Sequence, residues 1–207
     1  MKTLRLNKTS SVIPSNHKVA SSTFGLDGRP LLNIFMPNKA LILVDFEKEW
    51  IKPDSDYFVG DISEVIKRTN NLIDYCRQND YKIIFTTHIE ADSDSAFSLK
   101  SDSIDIIDGL DRADSDTLIA KNRISPFYRT NLEQELQGID EIVICGILTN
   151  LCVRSLVQDA YDRDFKITII KDCCVAFNDE TQNFTFKDLK ATRDEIELVN
   201  QNEFVKS

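Results

Sequence analysis

Short apolar runs of strand length recur from residue 39 onward. ALILV at 40–44, YKIIFTT at 81–87, EIVICGI at 141–147 and FKITIIK at 165–171 form the clearest set. They are rich in Ile and show little polar alternation, which predicts strands buried on both faces, as in a parallel sheet. TLIAK at 117–121 is a weaker run, and EIELV at 195–199 predicts a last strand. Between the runs the period changes from strand to helix. Residues 61–78 place Ile62, Val65, Ile66, Leu72, Ile73 and Cys76 at three- and four-residue steps, one face of an amphipathic helix. Shorter helices are expected at 131–137 and 181–191, and at 150–163, where Leu151, Leu156, Val157 and Ala160 recur. This alternation predicts an α/β domain with right-handed crossovers and helices on both faces of the sheet.

Two stretches break the alternation. Residues 1–38 carry much Ser, Asn and Pro and read as an N-terminal arm ahead of one domain at 39–207. Residues 92–116 are rich in Asp and Ser. Asp92-Ser-Asp94 is followed by Ser-Ala-Phe, which breaks calcium-loop spacing, so a solvated loop over the sheet edge is expected.

Charge narrows the partners. Lys and Arg number 25 against 34 Asp and Glu, a net −9 with no basic run, so nucleic acid is excluded as an expected partner. No apolar stretch approaches the roughly 20 residues that span a bilayer, so no membrane association is expected. MKTLRLNKTSSVIPSNHK is not followed by an apolar segment of secretory type, which makes the cytoplasm the expected compartment. The five cysteines lack zinc spacing and are expected to be free, with Cys173 and Cys174 as small residues after a strand.

In an open α/β sheet, ligands bind beyond the carboxyl ends of the strands. There the first strand runs into Asp45, the 117–121 strand ends in Lys121, and Cys152 lies in the first turn after the 141–147 strand. A helix start or a nearby cation lowers a thiol pKa, so Lys121 is expected to favour the thiolate, with Asp45 as proton acceptor. First-turn amides in GILTNLC have no helical partners and suit a developing oxyanion. Each residue also has an ordinary reading: a packed Cys, a capping Asp, a solvated Lys.

VDFEKEW (44–50), AKNRISPFYRTNLEQEL (120–136) and GILTNLCVRSLVQDAYDRDFKITIIKDCCVAF (146–177) together resemble the isochorismatase-like cysteine hydrolase superfamily. The resemblance implies a three-layer αβα fold around a doubly wound, six-stranded, mostly parallel sheet. It implies Asp45 as general base, Lys121 as the group steadying thiolate and intermediates, and Cys152 as nucleophile. It also implies a cis peptide between Ile147 and Leu148, an oxyanion hole from the Leu148 and Cys152 N–H groups, and a homo-oligomer, dimer or tetramer.

Departures from the family bear on the substrate. True isochorismatases carry Gly where this chain has Cys152, which points to acyl chemistry. Nicotinamidases hold a metal through an Asp-x-His pair and a further His. Here the strand end reads Thr86-Thr87-His88 and the other histidine is His17, so no metal and no cofactor are expected. His88 either lines the pocket or caps its strand. Arg123, two residues past Lys121, either binds a substrate carboxylate or makes a surface ion pair. Phe46, Trp50 and Phe127 are either pocket walls or core. The expected partner is a small molecule, an amide or carbamoyl (ureido) compound cleaved at C–N. The alternatives are a vinyl-ether hydrolase and a catalytically idle oligomeric subunit.

Overall fold

The computed structural model describes residues 38–91 and 94–206. The expected arm at 1–38, with His17, lies outside them except for Asn38. Six strands form one parallel sheet: β1 (Lys39–Val44), β2 (Lys82–His88), β3 (Thr117–Lys121), β4 (Glu141–Ile147), β5 (Lys166–Val175) and β6 (Glu197–Val199). Their spatial order is β3-β2-β1-β4-β5-β6. The chain winds outward from β1 to β3, then returns to the other side of β1 and winds outward again from β4 to β6. The winding reverses between β1 and β4, which makes their carboxyl ends the crevice of a doubly wound fold.

The central strands bury nearly every side chain, as their unbroken apolar runs require. The helices are α1 (Ser63–Gln78), α2 (Leu132–Glu135), α3 (Arg154–Tyr161), α4 (Asp179–Thr192) and α5 (Gln201–Phe204). α1 buries Thr69, Leu72, Ile73 and Cys76 and packs against β2, β5 and α5. Right-handed crossovers place α1 on one face and α3 with α4 on the other. Among the described residues no helix is long and apolar enough to cross a membrane.

Two regions differ from expectation. β5 continues through Cys173 and Cys174 to Val175, so those residues are strand and core rather than a segment after the strand. Its pairing with β4 shifts between Ile144 and Gly146, and the charged pair Lys171-Asp172 falls within that irregularity. Asp172 is accommodated there because its Oδ1 accepts the Gln201 N–H at 2.8 Å and its carbonyl accepts Arg68 Nε at 2.9 Å. A strand end inferred from the first charged residues therefore falls short.

The Asp-rich segment is not simply a solvated loop. Asp92 and Ser93 lie outside the described residues, but Phe97, Ser98, Ser103 and Ile107 are buried. Lys48 N donates to Asp105 O and Ile107 N to Phe46 O, both at 2.9 Å, while Ile106 pairs antiparallel to Glu47. The segment thus covers the carboxyl end of β1.

Candidate active site

Asp45 is the first residue past β1 and adopts φ 51°, left-handed backbone that a non-glycine residue holds only when its neighbours fix it. Thr86 on β2 supplies the fixing. The Asp45 N–H donates to Thr86 O at 3.1 Å, and the Thr86 hydroxyl donates to Asp45 Oδ1 at 2.6 Å. The other carboxylate oxygen, Oδ2, lies 2.7 Å from Lys121 Nζ, and both side chains are fully buried. Lys121 closes β3, donates to Arg123 O at 3.1 Å and lies 3.4 Å from Cys152 Sγ. Acid, ammonium and thiol therefore meet at the crevice beside the topological switch.

Cys152 sits in a single π-helical turn, Thr149–Val153, that leads into α3. The peptide between Ile147 and Leu148 is cis. Thr149 Oγ1 donates to Gln182 Oε1 at 2.6 Å, and Gln182 Nε2 donates to Cys174 O at 2.8 Å. This bridge ties the cysteine turn to α4 and β5.

Lys121 favours the Cys152 thiolate, but it is not the largest influence on that thiol. Burial first, and then the Asp45 carboxylate, push the Cys152 thiol up to about 12, and Lys121 only partly opposes them. Burial and the Asp45 charge together favour the protonated thiol over the thiolate. For Lys121, burial works against the charge, but Asp45 and Cys152 outweigh it and hold the pKa above its ordinary value.

The remaining candidates divide. Trp50 is buried, with ring centroids 5.9 Å from Tyr57, 5.4 Å from Phe97 and 6.4 Å from Phe177. His88 joins the same cluster, its ring 5.4 Å from Phe97 and its Nε2 3.3 Å from Glu90 Oε1. Phe46 is fully buried core and is no wall of an open pocket. Phe127 packs under the Arg163 guanidinium, whose central carbon lies 4.2 Å from the ring centroid, beyond the far end of α3 from Cys152. Arg123 does not extend in line with Lys121: the chain bends after the strand, and its exposed side chain donates to Asn122 O at 2.7 Å. What the site takes from Arg123 is its carbonyl.

At the β2 end, Thr86 is committed to Asp45, so Thr86 and His88 do not fit a metal-binding pair. Among the described residues no cluster of His, Cys, Asp or Glu is arranged to hold a metal ion. Sequence reasoning missed Glu47, fully buried two residues after Asp45, and the rings of Tyr57, Phe97 and Phe177. The available signal was the aromatic content of the loops after the first, second and fifth strands.

The isochorismatase domain model matches residues 39–198, the whole span from β1 into β6. This chain belongs to the isochorismatase family. It is 30% identical over 156 residues to the isochorismatase family protein YaaI of Bacillus subtilis, covering 71% of this chain and 86% of that one. It is also 24% identical to nicotinamidase 3 of Arabidopsis thaliana, over 72% and 80% of the two chains. A cysteine hydrolase from Pseudomonas syringae pv. phaseolicola superposes with a TM-score of 0.74 at 20% identity, covering 82% of this chain and 91% of the other, and shares the fold. The chain is thus an isochorismatase-family hydrolase with a cysteine at the start of its switch-point helix.

Proposed function

We propose that this hydrolase cleaves the C–N bond of a small amide or carbamoyl compound through a thioester on Cys152. The observation that carries the reading is the relay in which Asp45 Oδ2 contacts Lys121 Nζ at 2.7 Å and Lys121 contacts Cys152 Sγ at 3.4 Å. The likeness to a nicotinamidase supports amide over ether chemistry.

Because Cys152 rests as a thiol, its proton passes to Asp45 as sulfur attacks the carbonyl carbon. Lys121 balances the charge of the departing proton's donor, and the Leu148 and Cys152 N–H groups receive the oxyanion. Collapse breaks the C–N bond, and the leaving nitrogen takes the proton held by Asp45. Water then gives a proton to Asp45 as its oxygen attacks the thioester. The C–S bond breaks, sulfur regains the proton, and a carboxylic acid, or carbamate from a ureido substrate, departs. The test is an ammonia-release screen of carboxamides and ureido acids. A hit is expected to vanish in Cys152→Ala while the fold, followed by circular dichroism, is unchanged. Undiminished release in that variant would remove the mechanism.

A further inference from the structure

Three carboxyl groups are buried just past β1, and one of them, Glu49, is paired with Lys52 at 3.5 Å, which leaves two to account for. Asp45 and Glu47 are both fully buried, and Lys121 is the one buried cation beside them among the described residues. One ammonium balances one carboxylate, and Lys121 is committed to Asp45 at 2.7 Å. Among the described residues Glu47 has no ion-pair partner. Its Oε1 accepts a single bond, from the His88 main-chain N–H at 3.0 Å, and its Oε2 is buried without a hydrogen bond. An ionised carboxylate in that position would lack the compensation that buried charge needs, whereas a carboxylic acid would not.

We propose that Glu47 is a positioning residue that keeps its proton in the working protein, so that Lys121 serves Asp45 and Cys152 alone. The proposal deepens the reading of the Asp45–Lys121–Cys152 site and rests on it. The groups facing Glu47 agree. Asp45 comes from the end of β1, Lys121 from β3, the His88 N–H from β2 and the Trp50 indole from the turn Lys48–Ile51. Opposite Glu47 runs Ile106, and the neighbouring Asp105 carboxylate turns outward toward Lys48. Burial first, then the Asp45 charge, push Glu47 up to about 9, against the pull of the His88 N–H, Lys121 and Trp50. Ionisation of Glu47 would divide the attention of Lys121 and add negative charge near a thiol that already resists ionising.

The test needs no substrate. The reduced full-length chain is labelled with iodoacetamide from about pH 6.5 to about pH 10.5, and the rate at Cys152 is read by peptide mass spectrometry, for wild type and Glu47→Gln. The amide keeps an acceptor for His88 and stays neutral throughout. Equal rates are expected below about pH 8, with the variant about three- to tenfold faster once Glu47 ionises in the wild type. A variant already faster at pH ~7 would mean that Glu47 is charged at rest. Equal rates across the whole range, with the Glu47 carboxyl seen by its infrared band to ionise within it, would mean that its charge is not felt at Cys152. Either result overturns the proposal.

Infrared difference spectroscopy supplies a second reading. At neutral pH a protonated-carboxyl C=O band is expected in wild type and not in Glu47→Gln, and its absence from wild type would also overturn the proposal. Asp45→Asn separates the two hypotheses, because it should speed Cys152 labelling at every pH. If it does not, the reading of the relay fails, while the infrared band still decides Glu47.

Discussion

Cys152 is subject to opposing influences, and their balance sets how the site works. Burial and the Asp45 carboxylate favour the thiol, Lys121 favours the thiolate, and the first two win. Reactivity toward an alkylating agent and competence for turnover should therefore separate. In Asp45→Asn a negative charge is lost while Lys121 remains, so the thiol pKa falls and iodoacetamide labelling of Cys152 accelerates. The same variant has lost its proton acceptor, so hydrolysis of an identified amide should drop about 10²–10⁴-fold. Lys121→Ala removes the cation, and both rates should fall. A variant of Asp45 that labels slowly and turns over normally would contradict both halves of the relay. Parallel labelling and turnover measurements on the three proteins decide it.

At the scale of elements, the corner between β1 and β4 is set by close backbone approach. Gly146 has φ 144°, and a Cβ there would lie 2.2 Å from Val44 O and 2.6 Å from Val44 Cβ. Main-chain atoms of a central strand cannot yield that distance, so Gly146→Ala should destabilise the fold by about 3 kcal/mol or more, read as a lowered denaturant midpoint. A midpoint matching wild type would mean that β1 and β4 can part without cost. The six strands and the strand-end placement of Asp45, Lys121 and Cys152 were legible because apolar runs and their first polar residue follow directly from burial. The β5 extension was not, since Lys171 and Asp172 interrupt its apolar run and their partners, Arg68 and Gln201, lie far away in sequence. Glu47 was equally hidden: between Phe46 and Lys48 it reads as a surface acid, and part of its cover, the strand-like pairing with Ile106, comes from far along the chain. The thiol's rise was hidden for a related reason, because sequence shows a lysine near a cysteine but not that burial and an aspartate outweigh it.

For the whole molecule, the distribution of buried thiols links stability to pH. Burial pushes Cys76 and Cys173 up to about 12 and also raises Cys145 and Cys174 well above the ordinary value of 9.0. Burial does the same to the phenol of Tyr81, up to about 12. In each case the folded state keeps a proton that the unfolded chain releases. The stability so contributed is complete below about pH 9 and is lost as pH climbs toward about 12. Each such thiol adds up to about 1.4 kcal/mol of lost stability per pH unit in that window. Urea unfolding under reducing conditions should therefore show little change in midpoint from pH ~7 to ~8.5 and a steep fall above it. Cys145→Ala starts less stable, because it leaves a cavity in a central strand, yet its midpoint should fall less steeply with pH than that of wild type. A wild-type midpoint that stays level to pH ~10.5 would show that the core thiols ionise as readily folded as unfolded, and that the interior at β4 and β5 admits water.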